Sequence, residues 1–267
     1  MPKIGIIGGS GLYEIPGFTR LAEESVKTPY GEPSGRYLIA RAGGVEVAFL
    51  PRHGARHGAR HDIAPHKVNY RANIWGMKAL GVERIVGINA VGGIDVKLPP
   101  GSIVIADQVI DFTFGARPST FYEGRDVIHI DFTEPYCPEL RGALIAAAQK
   151  EDIAVTPAGT YVCTNGPRLE TAAEIGFFGR AGGHIVGMTG MPEAALAREI
   201  ELCYAAVAVV TNPAAGISAA HRLTTTEVVE MMASRMESIK KILKAVLPMI
   251  PAERRCPCRD ALKESRL

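Results

Sequence analysis

The stretch RIVGINAVGG, residues 84–93, joins an almost continuously apolar run to a turn of small residues. A short apolar run without polar alternation is typical of a β-strand that is covered on both faces. The glycines at its end let a ligand lie against the backbone, and amides exposed there can hold an anion. The stretch therefore predicts a buried strand of an α/β fold with a candidate ligand site at its end, although many strand-to-helix turns have this composition.

Runs of the same kind alternate along the chain with stretches of helical periodicity. The predicted strands are Ile4–Ile7, Val45–Leu50, Arg84–Ala90, Ile103–Ile110, Gly159–Thr164, Ile185–Met188 and Ala206–Thr211. The predicted helices are Val68–Leu80, Glu139–Lys150, Thr171–Arg180, Pro192–Cys203 and Glu227–Leu247. No linker or shift in composition divides the chain. We therefore expect one domain over residues 1–267, a three-layer α/β/α sandwich around a mixed central β-sheet, with a short C-terminal extension over 252–267.

The composition excludes several classes of protein. Hydrophobic residues make up 47% of the 267 residues, which supplies a core and excludes a disordered chain. The 30 Lys and Arg nearly balance the 28 Asp and Glu, which argues against binding of nucleic acid or a membrane surface through bulk charge. No apolar run is long enough to cross a bilayer, and Met1–Ile7 leads into a strand and not a signal peptide, so we expect a cytoplasmic protein.

The five cysteines are too few and too scattered for a fold built on disulfides. The exception is Cys256-Pro257-Cys258, a CxC motif near the C-terminus. The sequence places no second pair of ligands beside this motif, so we expect no metal there. A redox-active or disulfide-forming CxC is the preferred interpretation, and it would suit a protein from a hot habitat, where intracellular disulfides occur.

The segment Gly8-Gly9-Ser10-Gly11 follows the first predicted strand. Its amides can converge on an anion, and Ser10 adds a hydroxyl donor. A nicotinamide site would need Gly-x-Gly-x-x-Gly and an acid at the end of the next strand, and neither is present. The segment therefore favours a phosphate or substrate loop, with a tight turn that binds no ligand as the alternative.

A second segment, Arg52-His53-Gly54, follows the second predicted strand. A guanidinium and an imidazole at a strand end suit an oxyanion. His53, His57 and His61 have the spacing of a metal-binding helix face, but Gly54 and Gly58 oppose a helix, so an anion site is preferred. The basic residues of the tandem Gly-Ala-Arg-His repeat, 54–61, can also be a solvated loop.

Three later strand ends carry polar residues that suit a ligand. Glu170 precedes a helix, so its charge either suits the helix N-terminus or aims at a ring N–H. Thr189 can donate to phosphate and Met188 can pack on a sugar, while Glu193 has the position of a capping acid. Asn212 offers a donor and an acceptor to a heterocycle, unless it makes an Asx turn before proline.

Five segments carry a resemblance to a known family. They are Gly8-Gly9-Ser10-Gly11, Arg52-His53-Gly54, Val68-Asn69-Tyr70-Arg71-Ala72-Asn73-Ile74-Trp75, Gly166-Pro167-Arg168 and Met188-Thr189-Gly190-Met191-Pro192-Glu193. In this order they resemble the trimeric purine nucleoside phosphorylase family, and within it the 5′-methylthioadenosine phosphorylase branch. The resemblance runs from about Lys3 to the C-terminus.

The resemblance implies reversible phosphorolysis in purine salvage, with phosphate as a co-substrate and no cofactor. It implies a homotrimer or a dimer of trimers, and the CxC motif is similar to that of archaeal members that use disulfides. The residues it implies at phosphate are Ser10, Arg52, His53, Thr189 and the amide of Ala90. The residues it implies at the nucleoside are Met188 under the ribose and Leu169, Glu170 and Asn212 near the purine.

Two departures from the family pattern indicate a 6-oxopurine substrate. Members that act on aminopurines carry Asp-x-Asp where this chain has Asn212-Pro213-Ala214, and a small Ser where it has Glu170. A 6-oxopurine presents an N1–H that suits an ionised Glu170, and its N7 and O6 acceptors suit the amide of Asn212. We therefore predict Asn212 and Glu170 as the catalytic pair, and hypoxanthine or guanine nucleosides, including methylthioinosine, as substrates. Phosphorolysis of methylthioadenosine is the nearest alternative.

The 5′ end of the substrate is left open by the sequence. Thr225 and Val228 in the last helix suit a methylthio group, whereas His221 suits a 5′-hydroxyl. The tandem repeat lengthens the loop after His53, so the resemblance does not decide which histidine of that loop reaches phosphate. A nicotinamide oxidoreductase and a non-catalytic nucleoside-binding protein are the remaining alternatives.

Overall fold

The structure, a computed structural model, describes residues 3–9, 17–54, 62–124, 126–218 and 224–266. Its strands are β1 (Ile4–Gly8), β2 (Thr19–Glu24), β3 (Tyr37–Ala42), β4 (Val45–Pro51), β5 (Arg84–Gly93), β6 (Ile103–Ile105), β7 (Gln108–Phe112), β8 (Thr160–Thr164), β9 (Ile185–Gly187) and β10 (Cys203–Pro213). Its α-helices are α1 (Tyr70–Ala79), α2 (Pro138–Lys150), α3 (Ala172–Arg180), α4 (Glu193–Glu199) and α5 (Thr225–Val246).

The strands form one mixed sheet. Its main path runs β2-β3-β4-β1-β5-β9-β8-β7, and β10 joins both β5 and β6. Strands β4, β1, β5 and β10 pair in parallel, whereas β2, β3 and β4 pair antiparallel. The predicted mixed central sheet is confirmed.

Helices cover both faces of this sheet. Successive residues of a strand point to opposite faces, and they belong to different cores here. Ile7 of β1 packs in a core with residues of α1 and α4, whereas its neighbour Ile6 packs in a core with residues of α2 and α5. Helix α3 covers a smaller cluster that contains Val162 and Phe178. The predicted three-layer α/β/α sandwich is confirmed.

The structure corrects the predicted strands in two places. The predicted strand Ile103–Ile110 is two strands, because β6 pairs with β10 while β7 pairs with β8. Strands β2 and β3 were not predicted. Strand β2 is almost wholly exposed and carries polar residues at most positions, so it lacks the apolar pattern on which the prediction depended.

The helices agree more closely with the prediction. Helix α5 begins with the predicted capping box, in which Thr224 accepts from the backbone of Glu227 and the Glu227 side chain returns the bond. Helix α4 ends at Glu199, earlier than predicted, because Glu201 has a φ of 60° and Cys203 already begins β10. Among the described helices, none has the length and apolar character that a bilayer span requires.

Four cysteines come together in the fold. The sulfur atoms of Cys137, Cys203, Cys256 and Cys258 all lie within 4.8 Å of one another, and all four side chains are buried. Cys137 precedes α2 and Cys203 begins β10, so two distant elements bring a second pair of thiols to the CxC motif. The expectation that no second pair lies beside this motif was wrong, because the sequence separation concealed the contact. The four cysteines are free thiols in the structure.

Candidate active site

An open edge of β5 forms the floor of the site. Strand β1 pairs with β5 only as far as Gly87, and β9 pairs with it again at Gly92 and Gly93. Residues 88–91 have no strand on this edge among the described residues, and Ala90 is exposed in an otherwise largely buried strand. Backbone groups of alternate residues face the same edge of a strand, so the N–H of Ala90 faces the same side as the carbonyl of Ile88. That side is the gap between β1 and β9.

Arg52 enters this gap from the end of β4. Its backbone N–H donates to the carbonyl of Gly8 (3.0 Å), which holds it beside the end of β1. The guanidinium is 2% exposed and donates to the carbonyls of Ile88 (2.8 Å) and Ile7 (3.4 Å). Arg52 therefore fills the point where β1 and β5 diverge.

Glu193, the first residue of α4, pairs with Arg52. The Nε and Nη2 atoms of Arg52 donate to the two carboxylate oxygens at 2.6 and 2.9 Å, and the hydroxyl of Tyr204 donates to Oε2 at 2.7 Å. Burial disfavours the charged guanidinium, but the charge and hydrogen bonds of Glu193 outweigh it and raise the pKa of Arg52 above its usual value. Glu193 is thus more than a capping acid: it is the counter-ion of Arg52. Tyr204 in turn requires a glycine at position 87, because a Cβ there would collide with the Tyr204 hydroxyl.

Thr189 lies on the other side of the gap, two residues after β9. Its Oγ1 accepts from Nδ2 of Asn89 (2.7 Å), and its backbone N–H donates to the hydroxyl of Tyr161 (3.3 Å). Because the Thr189 oxygen already accepts, its hydroxyl hydrogen can be donated to another group. Oδ1 of Asn89 is buried without a hydrogen-bond partner in the described part of the chain. Sequence reasoning had singled out only the neighbouring Ala90, although a polar residue in an apolar strand was a signal for Asn89.

His53 is 8% exposed beside Arg52. Its Nδ1 lies 2.8 Å from the carbonyl of Ile63, and a carbonyl can only accept, so Nδ1 carries the hydrogen. The next residue, Gly54, has a φ of 73°, which explains the glycine at this position. Ser10, His57, His61 and His221, together with residues 55–60 of the tandem repeat, lie outside the described residues.

The other predicted side chains meet at the ends of β8 and β10. Oε1 of Glu170 accepts from the hydroxyl of Thr164 (2.6 Å), and Glu170 is half-buried. Leu169 is 52% exposed. Asn212 is buried at a β-bulge of β10, where the register shifts between Val210 and Asn212.

The amide of Asn212 makes local contacts. Its Oδ1 accepts from the Thr211 hydroxyl (2.7 Å), and its Nδ2 donates to the carbonyl of Pro213 (2.8 Å). An amide nitrogen has two hydrogens, so one donor of Nδ2 has no partner accounted for by these bonds. Nδ2 lies close to Gly92, at 3.3 Å from where a Cβ would stand, which places Asn212 two residues along β5 from Ala90. Ala214 is buried in the apolar cluster beneath α3.

Arg117 is a site residue that sequence reasoning missed. It is 6% exposed and lies between the loop after β8 and the loop after β9. Its donors reach Asn165 in the first loop (Oδ1 at 3.1 Å, carbonyl at 2.7 Å) and the carbonyls of Met188 (2.8 Å) and Met191 (2.6 Å) in the second. No sequence signal marked it, because it lies in a polar loop without a motif.

Met188 is half-buried, and a Cβ at Gly166 would collide with its sulfur, so the two loops are in direct contact. At the start of α5, Thr225 is exposed and Val228 is half-buried. The structure thus brings Arg52, Ala90 and Thr189 together at three consecutive residues of β5, with Asn212 beside them. Their contacts with a ligand, and those of Thr225 and Val228, stay predictions.

Comparisons with known proteins identify the family of the chain. The family model described as the Phosphorylase superfamily matches residues 3–248. The chain is 55% identical over 270 residues to the 6-oxopurine nucleoside phosphorylase of Pyrococcus furiosus, with 98% of each chain covered. It is 54% identical over 263 residues to the probable S-methyl-5′-thioinosine phosphorylase of Thermodesulfovibrio yellowstonii, covering 98% of this chain and 97% of that one.

A solved structure extends the comparison to the fold. The chain matches a methylthioadenosine phosphorylase from an antarctic soil metagenomic library with a TM-score of 0.92 and 37% identity, covering 100% of this chain and 92% of that one. Sequence and structure thus agree over the whole length, as the resemblance predicted. The chain belongs to the phosphorylase superfamily.

Proposed function

We propose that this protein is a purine nucleoside phosphorylase that cleaves 6-oxopurine nucleosides, including 5′-methylthioinosine, with inorganic phosphate. The observation that carries the proposal is the open edge of β5, where donors for an anion and an amide for a purine lie two residues apart. The products are the free base and the (methylthio)ribose 1-phosphate, and the reaction is reversible.

One side of the site, which we call the anion wall, comprises Arg52, Asn89, Ala90 and Thr189. Phosphate accepts hydrogen bonds from the amide of Ala90 and the hydroxyl of Thr189, with His53 and Ser10 as further ligands. Four of the five N–H donors of Arg52 are already used by Glu193, Ile7 and Ile88, which leaves one for phosphate. The main role of Arg52 is then to hold β1 and β5 apart at the floor of the site, through its bonds to Ile7 and Ile88.

The other side, which we call the base wall, comprises Leu169, Glu170 and Asn212. Glu170 accepts N1–H of the oxopurine, and the second hydrogen of Asn212 Nδ2 is donated to N7. As the glycosidic bond lengthens, positive charge grows on the sugar and negative charge on the purine. Phosphate attacks C1′ and balances the first charge, while Asn212 stabilises the second. Positioning carries the rest of the rate, and no covalent intermediate or further cofactor is required.

Two of the relatives support this choice of base, because their names specify 6-oxopurine and methylthioinosine substrates. The second candidate is methylthioadenosine phosphorolysis, which the name of the solved neighbour favours. Against it stands Glu170, whose carboxylate suits the N1–H of an oxopurine and not the bare N1 of adenine.

A phosphate-dependent assay over five nucleosides tests the proposal. The purified protein is given inosine, guanosine, adenosine, methylthioinosine or methylthioadenosine, with and without phosphate, and base release is measured. We expect phosphate-dependent release from the three oxopurine nucleosides and much slower release from the two adenine nucleosides. Preference for methylthioadenosine would establish the second candidate, and the ratio of inosine to methylthioinosine would assign Thr225, Val228 and His221 at the 5′ end.

We also propose that the protein works in the cytoplasm as a homotrimer or a dimer of trimers. An exposed aromatic patch, formed by the end of β7, the turn after it and α3, supports an oligomer. Phe112, Phe114 and Phe177 are 37%, 77% and 51% exposed, and Phe112 contacts both other rings. An apolar patch on a sheet edge is covered in most stable proteins, here by a second copy. Phe114→Lys should lower the mass measured by light scattering.

We further propose that the cysteine cluster forms disulfides when an external disulfide oxidises it. The sulfurs of Cys203 and Cys256 lie 3.3 Å apart, and hydrogen bonds from Cys137 and Cys203 hold the pKa of Cys256 below its usual value, which favours thiol exchange. Mass spectrometry of the protein alkylated without reduction should detect cross-linked peptides. Stoichiometric zinc released on thiol modification would contradict the proposal and make the cluster a metal site.

A further inference from the structure

Electrostatics pose a problem for phosphate at the anion wall. Arg52 was the cation expected to balance a bound dianion, but its charge is neutralised by Glu193 within a buried, bidentate pair. Tyr204 adds a third contact to that carboxylate. The pair as a whole is therefore neutral, so a second cation near the anion wall would strengthen phosphate binding.

Arg117 is a candidate for such a cation. It makes six hydrogen bonds to Tyr70, Thr164, Asn165, Met188 and Met191, and every acceptor is a carbonyl or a hydroxyl oxygen. No carboxylate of the described residues lies within ion-pair distance of it. Its guanidinium also stands over the ring of Tyr70, 5.1 Å from the centroid. Carbonyls and a ring face spread a cation's charge but do not cancel it.

The position of Arg117 connects this charge to the anion wall. Nη1 lies 2.8 Å from the carbonyl of Met188, and that carbonyl belongs to the same peptide group as the N–H of Thr189. Tyr70, which accepts from Nη1 at 3.1 Å, is itself within hydrogen-bonding distance (3.5 Å) of the Met188 carbonyl. The guanidinium is therefore one peptide group away from Thr189, the residue whose hydroxyl is a proposed phosphate donor.

The same guanidinium holds the two walls in register. Its Nε and Nη2 bind the loop after β8, which leads to Glu170, while Nη1 binds the loop after β9, which carries Met188 and Thr189. A rigid fork with several donors suits this task better than the single flexible ammonium of lysine.

We propose that Arg117 is a positioning residue that also provides the positive charge against which phosphate binds. This inference rests on the phosphorolysis proposed above. It predicts two separable effects: the charge lowers the KM for phosphate, and the fork sets the relative placement of the two loops and hence kcat.

The experiment compares Arg117→Gln, Arg117→Lys and a matched control, Arg198→Gln. Arg198 is also a buried arginine, 7% exposed, that donates to the carbonyls of Asp131 and Glu134 beside the ring of Phe132, but it lies in α4, outside the two loops. For each variant, KM is measured separately for phosphate and for inosine, together with kcat. Thermal unfolding is followed with and without inorganic phosphate.

We expect Arg117→Gln to raise the KM for phosphate by about tenfold or more, with less than about threefold change in the KM for inosine. It should also lose most of the phosphate-induced rise in Tm. Arg117→Lys should keep the KM for phosphate within about threefold and lower kcat by about tenfold, because the charge stays and the fork is lost. Arg198→Gln should keep both KM values, whatever its Tm.

Equal changes in phosphate KM in the Arg117→Gln and Arg198→Gln variants would overturn the inference. If the glutamine variant does not fold, the lysine variant decides, since a tenfold rise in its phosphate KM with unchanged kcat contradicts both roles. If the wild-type protein shows no phosphate-dependent base release, the proposed function fails. The phosphate-induced Tm shifts of the wild-type and Arg117 variants still test the charge.

Discussion

The anion wall and the base wall are built in different ways. Arg52, Asn89 and Thr189 are all less than 9% exposed, and each is bonded to the sheet or to another buried side chain. In the base wall, Leu169 is 52% exposed and Glu170 is held by a hydrogen bond from Thr164. These three side chains of the anion wall are therefore part of the folded core, whereas in the base wall Asn212 alone is buried to this degree.

Glu193→Gln removes the counter-ion of Arg52 in the anion wall and should have the largest effect. It leaves the buried charge of Arg52 without its counter-ion, and breaking a buried pair in this way costs about 3–5 kcal/mol of stability. Denaturant unfolding measures this loss. Activity should fall for every nucleoside by a similar factor, and a change confined to one base would contradict the assignment of Glu193 to the anion side.

Asn212→Ala removes the amide group of the base wall and should leave the fold unchanged. Losing one oriented donor to the departing purine should lower kcat/KM by about 10²-fold or more. The KM for phosphate should stay near that of the wild type, which steady-state kinetics with phosphate varied will check. A near-normal kcat/KM would remove Asn212 from the mechanism.

Exchanging two residues together tests which purine base the site selects. Asn212→Asp combined with Ala214→Asp should shift the ratio of kcat/KM for inosine and adenosine toward adenosine by about tenfold or more. Because Ala214 is 5% exposed in an apolar cluster, the second aspartate should also lower Tm. Asn212→Asp alone is the control. An unchanged ratio in the paired variant would contradict the proposal that Asn212 and Ala214 set the preference for 6-oxopurines.

The smallest effect is expected outside the base wall, in the pair that Arg168 and Glu174 form near the start of α3. Hydrogen bonds from Arg168 and from the backbone of Thr171 lower the pKa of Glu174 from 4.5 to about 2. A lowered pKa in the folded state stabilises it above pH 4.5, and this contribution is lost as the pH falls toward 2. The difference in Tm between wild type and Glu174→Gln should shrink over this range, and a difference independent of pH would contradict it.

The sequence allowed the sheet and the strand-end position of the site to be predicted, because apolar runs such as residues 84–90 fix both. Strand β2 was not predicted, because its residues are exposed and no apolar pattern marks it. Local signals also marked Thr189 and Asn212, which the structure brings next to β5. They could not show that Arg52 pairs with Glu193, which lies 141 residues away, since the pair forms only when β4 and α4 meet.

The same limit applies to Arg117 and to the cysteines. Arg117 lies in a loop without a motif, and its role arises from carbonyl groups, which any sequence provides at every position. Cys137 and Cys203 reach the CxC motif through the packing of α2 and β10. In each case the missing information is the tertiary contact and not the residue type.

The bulge in β10 has a consequence for how such proteins diversify. With one additional residue between Val210 and Asn212, the strand re-aims a side chain and then resumes its pairing at Gly92 and Gly93. The hydrogen bonds on either side of the bulge are made by backbone atoms, so they do not depend on which side chain occupies the bulge. With Asn212 in its proposed role, a single-codon change at this position would alter the choice of base, while the backbone pairing around it stays the same.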